Sequence, residues 1–175
     1  NKYTTFGVPQ YGNVALWYSE DNLGSVQSYI NPTEDNLVFG ANAVQGTLGT
    51  DNTAVGIDAL AFSTGNDNTC LGHRVMRSAT GDDNVAIGES TAYTLTTGSN
   101  NVIIGSGINS VETGNNCIVI GAGASSSTNS VSNEITLGNS SITTIRAAVT
   151  SITSLSDERD KKDVEDWNVT LVDTG

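Results

Sequence analysis

Three sets of residues in this chain have types and spacings that could do chemistry. The densest is the run Ser156-Asp157-Glu158-Arg159-Asp160-Lys161-Lys162-Asp163-Val164, which sets one hydroxyl among cations and carboxylates. A serine hydroxyl is inert unless a base takes its proton, and a lysine can do so when desolvation or nearby cations lower its pKa. Arg159 and Lys162 would supply such cations, whereas Asp157, Glu158 and Asp160 oppose them. From residue types alone the run reads as a solvated charged turn opening a helix, with Ser156 as its N-cap and Arg159 in its first turn.

The second set is Asp35, Asp51, Asp67 and Asp83, spaced by 16 residues. If the chain coils with that period, their carboxylates lie about 4.8 Å apart and repel one another unless a cation such as calcium neutralises them. The same slot then becomes Asn100, Asn116 and Asn133. Asp and Asn are interchangeable as side-chain caps of turns, and that suits the slot better than a metal site. The chain also lacks the glycine-aspartate nonapeptide of calcium-binding β-rolls. The third candidate is His73, the one histidine. Copies of it could meet around an ion on a symmetry axis, but its place directly after a glycine reads as an exposed turn. We therefore expect no metal and no cofactor.

The elements that must position these residues are set by glycine. Gly40, Gly56, Gly72, Gly88, Gly105, Gly121 and Gly138 follow one another in steps of 16, 16, 16, 17, 16 and 17. A regular period over about a hundred residues is the mark of a repeat architecture. Four residues before each glycine stands a residue read as a polar turn position: Asn36, Asn52, Asn68, Asn84, Asn101, then Cys117 and Glu134. Between it and the glycine lie three residues fit for a short strand, as in Thr53-Ala54-Val55. A second punctuation follows at Gly49, Gly65, Gly81, Gly98 and Gly114. Each unit thus holds two short elements and two turns. Rich in Gly, Asn and Thr, these units are not helical; they read as rungs of a β-solenoid or β-roll.

The expected fold is all-β, with seven rungs of about 16 residues stacked at strand spacing. Residues 1–34 lack the register and carry Trp17 and most of the tyrosines, so they read as a β-rich shoulder or cap. Residues 35–141 form the solenoid. Residues 142–155 place Ile142, Ile145, Val149, Ile152 and Leu155 close to a heptad seam, a narrow neck of either β or coiled-coil type. Residues 156–175 hold the charged run. The strands Val102-Ile103-Ile104 and Ile118-Val119-Ile120 have no polar face, and a strand apolar on both sides needs cover on both. The simplest cover is a second copy about a symmetry axis, and we expect a homotrimer. The two cysteines, Cys70 and Cys117, lie about three rungs apart, roughly 14 Å, too far for a bridge. They read as buried thiols.

A net charge of −12 and a pI near 4.1 exclude a phosphate-tracking surface, so no nucleic-acid partner is expected. No stretch has the length of a transmembrane helix, and residue 1 opens no signal peptide, so no membrane insertion is expected. Asn139-Ser-Ser and Asn168-Val-Thr fit the glycosylation pattern, which is short enough to arise by chance.

The run Ser156–Val164 resembles the opening of the intramolecular chaperone domain at the C-terminus of phage tail fibres and tailspikes, the self-cleaving peptidase of endosialidase type. That opening reads Ser-Asp-x-Arg-x-Lys-x-x-hydrophobic, matched here by Ser156, Asp157, Arg159, Lys161 and Val164. The likeness covers about twenty residues, to Gly175. The rungs also look like the β-roll heads of trimeric adhesins and the shafts of phage fibres. The resemblance implies a single-turnover reaction in which the chaperone drives trimerisation and is then released. Ser156 would be the nucleophile, Lys161 its general base, Asp157 and Arg159 supporting residues, and Leu155–Ser156 the cleaved bond.

The function expected from these readings is a structural, receptor-contacting segment of a trimeric tail fibre in a virion. Its partners would be two further copies of itself, other tail proteins and a host-surface receptor. A bacterial trimeric adhesin head is the alternative; it would share the rungs but not the Ser-Asp-x-Arg-x-Lys run. An ice-binding solenoid would need a flat threonine ladder, and Thr64, Thr80, Thr97 and Thr113 make only one short column. No rung column pairs acids, bases or nucleophiles as a multiple-turnover enzyme would.

Overall fold

A computed structural model describes Ala15–Tyr18, Val26–Asn31 and residues 35–45 and 47–146. The chain divides into two compact units, Asn1–Ile142 and Thr143–Gly175, and every strand among the described residues belongs to the first. One sheet holds nine strands in chain order: β1 (Ala15–Tyr18), β2 (Val26–Asn31), β3 (Asn36–Ala41), β4 (Thr53–Val55), β5 (Thr69–Leu71), β6 (Val85–Ile87), β7 (Val102–Ile104), β8 (Ile118–Ile120) and β9 (Ile135–Leu137). The pairs β1–β2 and β2–β3 are antiparallel. From β3 to β9 every pairing is parallel and joins strands one coil apart. The protein is therefore an all-β parallel solenoid of six turns, with no helix among the described residues.

Period-2 geometry decides which side of each short strand is inside. The middle residue points inward: Ala54, Cys70, Ala86, Ile103 and Val119 are buried. In two coils where that residue is small, a larger one at the corner beyond the glycine is buried with it. Leu60 follows Ala54, and Met76 brings its sulfur 3.4 Å from that of Cys70. Both cysteines are buried free thiols, and burial alone pushes the Cys70 thiol far above its ordinary pKa.

The glycine columns exist because coils touch there through backbone. A Cβ placed on Gly72 would lie 2.1 Å from the carbonyl oxygen of Gly88, and Gly72 has φ +139, where L side chains rarely go. The second column is as tight: a Cβ on Gly65 would lie 2.0 Å from the Gly81 oxygen. The 17-residue steps are absorbed beside this column. Thr80 N–H and Gly81 N–H both donate to the Thr96 carbonyl, and Glu112 N–H and Thr113 N–H both donate to that of Asn129. One carbonyl then answers two donors, and the extra residue stays outside the stack.

The structure corrects the reading of the asparagine slot. Asn36, Asn52, Asn68, Asn84 and Asn101 are not turn residues; all five are buried inside the coils. The turn residue is the one before each, and Asp35, Asp51, Asp67, Asp83, Asn100, Asn116 and Asn133 all take left-handed backbone, φ 50 to 61. Asp and Asn tolerate that conformation better than other residues with a side chain. Inside, each asparagine amide does two jobs. Asn68 Nδ2 donates to the Gly81 carbonyl across the coil (3.1 Å), and Asn68 Oδ1 accepts the backbone N–H of Asn84 in the next coil (3.0 Å). The pattern repeats from Asn36 to Asn101, whose Oδ1 accepts Cys117 N–H at 2.9 Å. Cys117 takes the slot next, its thiol 3.2 Å from the Val131 carbonyl, and Glu134 follows. A second ladder of opposite sense runs outside, where Thr50, Asn66, Asp82, Ser99 and Asn115 each donate a backbone N–H to a side-chain oxygen one coil later.

Candidate functional site

The first and third residues of the three-residue strands β4 to β9 point away from the coil interior, as do Leu37 and Phe39 of β3. They form two columns along the parallel sheet. One column reads Leu37, Thr53, Thr69, Val85, Val102, Ile118 and Ile135; the other reads Phe39, Val55, Leu71, Ile87, Ile104, Ile120 and Leu137. Only Thr53 and Thr69 interrupt an otherwise apolar stripe about 29 Å long and two side chains wide. Several of its members are far from buried: Phe39 is 56% exposed, Leu71 49%, Ile135 67% and Leu137 52%. Water on such a stripe is unfavourable by about 25 cal/mol for each Å² of apolar surface. A contiguous exposed apolar patch rimmed by polar residues marks an interaction surface.

The rims are unlike, one polar and one mixed. On one side run the left-handed turn residues, Asp35 through Asp83 and then Asn100 through Asn133. Loss of water around its carboxylate, then the charges of Asp51, Asp83 and Asp82, raise the pKa of Asp67 above the ordinary 3.8. Charge on this rim ends at Asp83, beside Val85, the first coil in which both columns are aliphatic to the end of the stripe. Beyond the glycine column on the other side stand Ile57, His73, Glu89, Ser106 and Ala122. His73 is half-exposed, with Nδ1 3.9 Å from Glu89 Oε1, and Arg74 Nε lies 3.9 Å from Asp58 Oδ2. Among the described residues no three His, Cys, Asp or Glu side chains are grouped to hold a metal ion.

No family model, no curated protein and no solved structure matches the chain. The remaining sequence candidates, Leu155, Ser156, Asp157, Arg159 and Lys161, lie outside the described residues. So do Val149 and Ile152 of the expected neck, whose first members, Ile142 and Ile145, are exposed and belong to neither helix nor strand. No helix among the described residues is long and apolar enough to cross a membrane.

What sequence reasoning missed is the burial of the asparagines, and a signal for it was present. The turn slot accepts both Asp and Asn, whereas the next slot holds Asn five times and Asp never. A carboxylate can accept a hydrogen bond from the next coil but cannot donate one to the glycine carbonyl. Only an amide meets both demands.

Proposed function

We propose that this chain is the rod segment of a homotrimeric phage tail fibre, carried in the virion and presented to a host-surface receptor. The observation that supports it is the outward stripe. A single copy leaves about 29 Å of Val, Ile, Leu and Phe in water, and a second copy of the same face is its simplest cover. The stripe is too narrow for a sheet sandwich, whose faces are broad. Three narrow stripes around one axis make a closed three-sided core, with the rims of neighbouring copies meeting outside it. The stacked coils would give the rod stiffness and leave few loops open to proteases.

Release of a C-terminal chaperone is the second part of this reading and rests on the resemblance of Ser156–Val164. Lys161 would take the proton from Ser156, whose oxygen would attack the carbonyl carbon of Leu155. The Leu155–Ser156 amide would break and an ester form in its place, which water would then hydrolyse. The test is expression within the full reading frame, wild type beside Ser156→Ala, followed by native and intact-mass spectrometry. A trimer cut before Ser156 in the wild type and uncut in the variant is the expected result. A trimer uncut in both removes the peptidase and leaves a structural fibre or adhesin head. A monomer removes the fibre reading.

A further inference from the structure

Symmetry sets the two rims against each other. A straight stripe along the stack is covered over its whole length only when the symmetry axis runs parallel to the stack. Rotation about that axis leaves height unchanged, so equal coils of three copies lie level. At each level the three short strands then form a triangle, the end of one meeting the beginning of the next. The turn residue before one strand is thereby set against the residue that follows the glycine of a neighbouring copy.

The paired rim residues lie six apart in the sequence. At most levels the turn residue meets an uncharged side chain, as Asp51 with Ile57 or Asn100 with Ser106. Two adjoining levels differ: Asp67 meets His73, and one coil later Asp83 meets Glu89. His73 is the one histidine of the chain, and within its own copy its Nδ1 lies 3.9 Å from Glu89 Oε1. The other charged groups nearby already have partners. Arg74 Nε lies 3.9 Å from Asp58 Oδ2, and Asp82 accepts from the backbone and side-chain amides of Asn66. The Ser90 hydroxyl donates to Glu89 Oε1. Each joint between copies therefore gathers one imidazole, Glu89 of the same copy, and Asp67 and Asp83 of the next. Loss of water and the charges of Asp51, Asp83 and Asp82 raise the pKa of Asp67, so a cation brought beside it is favourable.

We propose that the copies close head to tail with His73 of each seated against Asp67 and Asp83 of the next, so that uptake of a proton by His73 tightens the trimer. This rests on the fibre reading, and it names the contact that regulates that assembly. An imidazole ordinarily gains its charge near pH 6.5, at about the point where no other side-chain type titrates. Above that value each joint holds three carboxylates and no cation, and they repel; below it an imidazolium stands among them. The proton is held more tightly in the trimer than in the free chain. The stabilisation is therefore present at low pH and lost as pH rises through the value in the assembled state.

The test joins the contact to its proton. Asp67→Cys/His73→Cys is oxidised in air and run on a non-reducing gel. The two positions flank β5, more than about 10 Å apart at strand rise, so a bridge must form between copies. A covalent trimer is expected from this pair. None is expected from Asp67→Cys/Ser106→Cys, whose second position lies two coils, about 9.6 Å, off the level. The wild type should melt about 4 °C higher at pH 5.5 than at pH 8, followed by circular dichroism. His73→Gln should remove that difference, and His73→Lys should melt alike at both pH values. Light scattering on each sample reports oligomeric state. A trimer that fails to cross-link at 67 and 73, that links equally at 67 and 106, or whose melting difference survives His73→Gln overturns the joint and leaves the fibre reading standing. A monomeric wild type overturns both.

Discussion

The inward and outward positions of the same three-residue strands obey different rules. Inside, identity is dictated atom by atom: glycine where backbones touch, an amide where a donor and an acceptor are needed together, a small strand residue where the corner residue is large. Outside, only character is kept: apart from Thr53 and Thr69, Leu, Val, Ile and Phe replace one another freely along the two columns. Interior order fixes the coil. Outward apolarity has no role within one coil, and its persistence over seven strands points to a surface made to be covered. The two faces should therefore fail differently when substituted.

The largest effect is expected where coils touch. Gly72→Ala would drive a Cβ to 2.1 Å from the Gly88 oxygen at φ +139. It should cost about 3 kcal/mol or more, read as a lowered midpoint in chemical denaturation. Retention of wild-type stability would show that neighbouring coils can slide apart cheaply. Next is the amide ladder. Asn68→Ala leaves the Gly81 carbonyl and the Asn84 N–H without their partners and should cost about 2–5 kcal/mol. Asn68→Asp should cost at least as much at pH 7, because it keeps the acceptor but sets a buried carboxylate against the Gly81 carbonyl oxygen. A loss below that of a typical exposed substitution would mean that water replaces the amide.

The reverse substitution sharpens the comparison. In the sixth coil nature places Cys117 in the amide slot, so Cys117→Asn extends the ladder by one step. Stability should rise by up to about 1 kcal/mol, seen in the same denaturation experiment. A fall would show that the last coils have repacked around the thiol. The smallest effect belongs to the rim. The folded-state pKa of Asp67 is raised, so its contribution favours folding below the ordinary 3.8 and is lost as pH rises through the folded value. Asp67→Asn should therefore raise the melting temperature slightly at pH 7 and leave it unchanged below pH 3.8. An equal rise at both pH values would assign the effect to something other than charge.

Much of this architecture was legible from spacing alone. Gly40 to Gly138 gave the period, and the Val, Ile and Thr content of Thr53–Val55 or Val102–Ile104 gave strands rather than helices. The interior was less legible because asparagine serves turns and buried ladders equally well by composition. Its inward direction leaves one trace in the sequence, the absence of Asp from the slot, and the reason is that Gly65 and Gly81 bring their carbonyls across the coil. Apolarity on both faces of Val102–Ile104 was readable, but which face is inward depends on register with Ala54 and Cys70. The readings placed on Ser156 and Lys161 fall outside the described residues.

The central claim, that the outward stripe is an interface between copies, is tested most directly by light scattering on the wild type and on Ile87→Asp/Ile104→Asp. Both positions face away from the coil interior, so the variant should keep its β spectrum. The account predicts a trimeric wild type and a folded, monomeric variant. A wild type that stays monomeric with its stripe in water, or a variant that remains trimeric, would contradict it.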